Sequence, residues 1–298
     1  MAWKFFSIGA MAIVLLTGCT TVPQNPLRTE AGDPKVDVAA MKEIMARKDQ
    51  LVHVSSPATD AGKPVLLLLH GATDDPTEMM AIVREWRGKY DVYLYAYNYH
   101  RPVQTVAADF DNELKRLRVE NRLDGGVTIV VYSYAAIVFR EAVILADDRS
   151  LFSEVSLIQL VPTAGGSYFA RGLKNPVTAW VVSLFSHQTH AVIPYGGFAE
   201  RLWAGAGNQK FYEVINPGRV HSILVEGDPH SLAGMADPDV RARYCNGIGL
   251  NVVVIPKSTG VTHDYFPVQP AALAYLRQQL APPVAVAGHN QLQLVARK

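Results

Sequence analysis

Cysteine is nearly absent, with two in 298 residues, Cys19 and Cys245. With Cys19 at the end of a leader-like segment, Cys245 has no partner left, which excludes a disulfide scaffold and a cysteine-based metal site. An excess of one charge is also missing. Lys and Arg number 28 against 27 Asp and Glu, so no basic field exists to hold a phosphate backbone, and nucleic acid is not expected as a partner. Heptad runs, Gly-rich phosphate loops and a dinucleotide fingerprint are absent as well, so no cofactor is implied. His187 and His190 have loose metal-ligand spacing but no accompanying Glu and no third ligand, so no metal is expected. What remains is 49% hydrophobic and 18% charged residues, the composition of a globular domain, in a length that suits one large α/β unit.

The first 18 residues carry one early positive charge, Lys4, an apolar stretch from Phe5 to Leu16, and small residues before Cys19. A secretory signal is organised in this way, and the stretch falls short of the ~20 apolar residues of a transmembrane helix. Leu16-Thr17-Gly18-Cys19 resembles the lipobox of bacterial lipoproteins. That resemblance implies a signal peptide over 1–18, an acylated Cys19 (palmitate-type lipid) as the first mature residue, and attachment to a membrane. Thr20 in place of Asp implies the outer membrane, facing the periplasm, if the host is Gram-negative. Residues 19–34, rich in Thr and Pro and without periodicity, read as a lipidated tether. Residues 35–63 read as an N-terminal accessory segment, with a short helix expected over 35–50.

From residue 64 a regular alternation begins. Val65–Leu69 is a continuous apolar run between Pro64 and His70-Gly71, as a strand buried on both faces should be. Met79–Lys89, Val103–Glu120, Ala135–Ala146 and Pro270–Leu280 read as helices. Asp91–Tyr97, Val127–Tyr132, Val155–Val161, Ser222–Val225 and Val252–Ile255 read as further strands. This order predicts an α/β fold with a mostly parallel central sheet, helices on both faces, and a ligand crevice at the C-terminal ends of the strands.

The third of these strands ends in Val131-Tyr132-Ser133-Tyr134-Ala135 and a helix follows at once. A serine on such a turn projects its hydroxyl above the sheet, next to the free N–H groups that open the helix. The stretch Tyr132 to Arg140 resembles the nucleophile elbow of α/β-hydrolases, in particular of lipases. Leu68-Leu69-His70-Gly71 resembles the opening of their oxyanion loop, and Pro162-Thr163-Ala164-Gly165-Gly166-Ser167 the stretch after their next strand. The likeness spans roughly 64–280 in the right order and implies the α/β-hydrolase fold for residues 64–298, with a lid insertion at about 162–220. The sequence departs from the family at one place, where Val131 and Ala135 occupy positions that the elbow usually gives to glycine.

A serine hydroxyl needs a histidine to take its proton and a carboxylate to orient that histidine. In the resembling family the chain order is Ser, acid, His, which implies Ser133, Asp228 and His263. Asp228 follows a strand in Glu226-Gly227-Asp228, and His263 follows the last strand in a loop that leads to the final helix. Glu226 and Asp264 are alternatives for the acid, and His221 and His230 for the base. The resemblance also implies an oxyanion hole from the backbone N–H groups of Tyr134 and Ala72, with His70 supporting the loop.

About sixty residues before His221 lack a clear sheet strand and carry many aromatics. Read as a lid, this segment would contribute Trp180 and Phe185 to an apolar substrate pocket; read otherwise, it is an extra helical layer. The expected function is a membrane-anchored serine hydrolase that cleaves carboxylic esters of small molecules or lipids. A hydrolase-shaped lipoprotein that binds an envelope ligand or protein without turnover is the expectation from another class. Nothing in the sequence bears on oligomeric state.

Overall fold

The computed structural model describes residues 49–54, 62–72, 76–163, 210–228, 230–231 and 249–280. The expected leader and tether, Cys19, Trp180, Phe185 and Cys245 lie outside the described residues, as does nearly all of the expected 35–50 helix.

Among the described residues seven strands are formed: β1 (Gln50–His53), β2 (Val65–Leu69), β3 (Asp91–Ala96), β4 (Val127–Tyr132), β5 (Ser156–Leu160), β6 (Val220–Val225) and β7 (Asn251–Ile255). The described α-helices are α1 (Met80–Trp86), α2 (Val103–Val119), α3 (Ala135–Leu145), the one-turn α4 (Ser150–Ser153) and α5 (Pro270–Gln279). The strands join in one sheet with the order β1-β3-β2-β4-β5-β6-β7. Every pairing is parallel except that of β1 with β3.

Alternation along the strands sorts the core into two layers. Val65, Leu67 and Leu69 of β2, with Ile129 and Val131 of β4, pack on α2 and α3 around Phe110 and Phe139. Leu66, Leu68, Val130 and Tyr132 point the other way, into a layer with Met79, Ile82, Trp86, Phe266 and Leu276. All five β2 side chains are buried, each contributing ~1.5–3 kcal/mol of transfer free energy. Val103, Val106, Ala107, Phe110, Leu114 and Leu117 line the buried stripe of α2 at helical spacing, and Phe110 meets Phe139 of α3 edge-on at 6.2 Å. Helix α2 ends where Asn121 takes φ 55°, a left-handed conformation that Asn tolerates.

The antiparallel β1 corrects the sequence reading. A helix was expected to run to residue 50, but Gln50 opens a strand whose register pairs Gln50 with Ala96 and His53 with Tyr93. Only Leu51 of its four residues is buried, so neither period is legible in so short a segment. Its pairing partner is forty residues away, and tertiary contact decides the conformation. Strand β6 also begins earlier than expected, at Val220, which places His221 inside it.

Candidate active site

The C-terminal ends of β4, β6 and β7 bring three of the sequence-derived residues together. Ser133 lies between the last residue of β4 and Tyr134, the N-cap of α3, with φ 52°. The turn is secured on both sides: Ser133 N–H donates to Leu160 O at 2.9 Å, and Thr163 N–H donates to Ser133 O at 3.3 Å. Val131 does not prevent it. That side chain is fully buried, in register with Leu69 on one side and Gln159 on the other.

Ser133 Oγ lies 2.7 Å from His263 Nε2, and His263 Nδ1 lies 2.7 Å from Asp228 Oδ2. A carboxylate can only accept, so Nδ1 carries the imidazole proton and donates it to Asp228. Nε2 is then the bare nitrogen, and Ser133 Oγ–H donates to it. The Asp228 side chain is fully buried and that of His263 nearly so. Asp228 comes off β6 in the turn Glu226-Gly227-Asp228, where Gly227 takes φ 74°, a conformation that a Cβ would strain. Its other oxygen accepts the His230 backbone N–H at 2.8 Å.

Of the alternatives, Glu226 and His221 stand elsewhere. Glu226 turns to the exposed edge, where Oε2 accepts the Lys257 N–H at 3.1 Å. His221 is half-buried near the start of β6, in register with Ile158 and Asn251, away from the strand ends that hold Ser133. His230 does reach the site, with its ring centroid 4.8 Å from that of His263, but it is His263 that faces Ser133. The pKa of His230 is lowered, chiefly by burial and next by the His263 charge, with Asp228 and Asp264 opposing.

The loop after β2 is fixed by His70, the support that the resemblance implied, and by Tyr97 and Glu78, which the sequence did not reveal. His70 is fully buried, stacked on Tyr97 at 4.1 Å. Its Nδ1 is 2.8 Å from Gly71 O and therefore donates, while Nε2 accepts the Tyr97 N–H at 3.4 Å. Both nitrogens being used in opposite senses fixes a neutral tautomer. Gly71 N–H donates to the buried Glu78 Oε1 at 3.0 Å, so this N–H is committed within the loop; Ala72, which follows it, is partly buried. In the sequence Glu78 is an ordinary acid at the start of a helix, and nothing there connects it to Gly71. The turn after β5 was equally hidden. Val161 is buried with φ 40°, an outlier for a β-branched residue before proline. It is held by Val161 N–H to Ile223 O at 2.8 Å and by Ser231 Oγ–H to Pro162 O at 2.9 Å. Strain of this kind, ~1–3 kcal/mol per residue, gathers at functional sites, and here it lies against the Ser133 turn.

Among the described residues no group of three or more His, Cys, Asp or Glu is arranged to hold a metal ion. No described helix is long and apolar enough to cross a membrane.

No protein-family model and no curated protein matches the chain. Solved structures do. EstE5 soaked with ethyl alcohol aligns over 91% of this chain and 98% of its own, at 16% identity and a TM-score of 0.52. EstE5 soaked with p-nitrophenyl butyrate gives the same coverage and identity with a TM-score of 0.51. An epoxide hydrolase of the α/β-hydrolase superfamily, from metagenomes of hot environments, covers 78% of this chain and 94% of its own, at 15% identity and a TM-score of 0.45. The chain has the α/β-hydrolase fold. At such identities the likeness concerns the backbone alone.

Proposed function

We propose that the chain is a serine hydrolase that cleaves carboxylic esters and is tethered to a membrane through a lipid on Cys19. The observation that carries the reading is the unbroken line from Ser133 Oγ through the His263 ring to the buried Asp228 carboxylate, with 2.7 Å at each step. A serine on a strained strand-to-helix turn, a histidine whose tautomer leaves Nε2 bare, and a carboxylate that orients it are what acyl transfer requires.

In this mechanism Ser133 Oγ attacks the ester carbonyl carbon as His263 Nε2 takes its proton, and Asp228 stabilises the imidazolium. The developing oxyanion sits against the N–H groups of Tyr134 and Ala72, at the positive end of α3. His263 then gives its proton to the departing alkoxide, leaving an acyl group on Ser133. Water, deprotonated by the same nitrogen, attacks that acyl carbon and releases the acid. The apolar residues Trp180 and Phe185 expected for the substrate pocket lie outside the described residues. EstE5 was soaked with p-nitrophenyl butyrate, which makes short p-nitrophenyl esters natural first substrates.

The test is hydrolysis of p-nitrophenyl esters of graded chain length by the purified protein and by Ser133→Ala. Turnover by the wild type with an initial burst of p-nitrophenol, abolished in the variant, supports the reading. Turnover that survives in Ser133→Ala contradicts it.

A further inference from the structure

We propose that Tyr132, the residue before the nucleophile, is a positioning residue that holds the oxyanion loop and the His263 loop in register with Ser133; this rests on the hydrolase reading above. Tyr132 is the last residue of β4 and is buried. Strand alternation directs it away from the Val131 layer and toward the face that carries the loops after β2 and β7.

It touches both. Its hydroxyl donates to the backbone carbonyl of His263 at 2.7 Å, across 131 residues of sequence, and the two rings lie 5.9 Å apart. On the other side, a Cβ on Gly71 would stand 3.0 Å from Tyr132 Cδ1 and 3.0 Å from Cε1. Gly71 is therefore pressed against the phenol ring, and Glu78 holds the same residue through its N–H. One side chain thus bears on the backbone of the base and on the loop that precedes the Ala72 donor, and its own main chain leads into Ser133. Burial above all, then the Glu78 carboxylate, pushes the Tyr132 hydroxyl well above its ordinary pKa, so it stays a donor throughout the working pH range.

A phenylalanine would fill the same space and press equally on Gly71; only the bond to the His263 carbonyl distinguishes tyrosine. A side chain needed for packing alone would affect melting temperature and leave kcat per folded molecule unchanged. A positioning residue affects kcat and leaves KM alone, because misplacing the base raises the barrier without altering how substrate is held.

The experiment compares wild type, Tyr132→Phe and Gly71→Ala by ester kinetics and by the downfield proton NMR signal of the His263 Nδ1–H, read without substrate. Tyr132→Phe is expected to lower kcat about tenfold with KM within about twofold, and to shift or broaden the His263 signal. Gly71→Ala, which keeps the hydroxyl but pushes the ring, is expected to displace the same signal from the opposite side. Wild-type kcat in Tyr132→Phe, or an unmoved His263 signal in both variants, overturns the proposal. Because the signal is read in the resting protein, a wild type that hydrolyses nothing overturns the hydrolase reading alone, and the signal still decides the role of Tyr132.

Discussion

Asp228 gives one carboxylate oxygen to His263 Nδ1 at 2.7 Å and keeps the other for the backbone N–H of His230 at 2.8 Å. Both partners are donors, so the site requires two acceptors. Asparagine offers one acceptor and an NH2 group that opposes the second donor. Asp228→Asn is therefore expected to lower kcat by about 10⁴ through the wrong imidazole tautomer, with little change in KM. Steady-state kinetics with a p-nitrophenyl ester checks this, and a loss below about tenfold would detach Asp228 from the base.

Ser133→Ala and His263→Ala should each lower kcat by roughly 10³ to 10⁶, and the double variant should lose little more, because the two groups act as one unit. Multiplying losses in the double-mutant cycle would mean that the 2.7 Å contact between them is not used in the reaction.

Val131 departs from the small residue usual at its place in the elbow, yet it lies wholly within the core between Leu69 and Gln159. Val131→Gly removes that packing and adds backbone freedom, so a loss on the order of 3 kcal/mol in stability is expected. Activity per folded molecule should hold. Urea unfolding together with active-site titration separates the two, and a large rise in kcat would show instead that the valine strains the turn.

Much of this architecture is legible in the sequence because its elements are long or strongly patterned. β4 is read at its full length from Val127 to Tyr132, and α2 from its buried stripe. Ser133, Asp228 and His263 can be picked out because each follows a strand and because their order resembles that of a known family. What stays hidden depends on distant partners. β1 is too short to show a period, Glu78 looks like any acid in a first turn, and the hydroxyl of Tyr132 finds its acceptor 131 residues away. The positive φ of Val161 is contrary to the local preference of both valine and a residue before proline, so local reasoning points the wrong way there.

The pKa of His230, and likewise that of His221, is lowered by burial. Their folded values lie below the ordinary 6.5, so in acid the unfolded chain binds more protons than the folded one, and stability falls as pH drops through and below about 6.5. Above that range both are neutral in either state and their contribution is complete. Urea midpoints at pH 7.5 and pH 5 should show the drop, and His230→Gln should reduce it. An equal drop in the variant would assign the effect to other groups.

Cys19→Ser should move the protein expressed in a bacterial host from the membrane fraction to the soluble envelope fraction, since Leu16-Thr17-Gly18-Cys19 resembles a lipobox. Unchanged membrane partitioning would remove the lipid tether from the proposed function.

The most direct measurement is covalent labelling with a fluorophosphonate, followed by peptide mapping. It requires an activated serine and no knowledge of the natural substrate. The expected result is one adduct per chain on Ser133, lost in Ser133→Ala and strongly slowed in His263→Ala. A folded wild-type protein that takes up no label, or takes it at another serine, would contradict the assignment of Ser133 as the nucleophile.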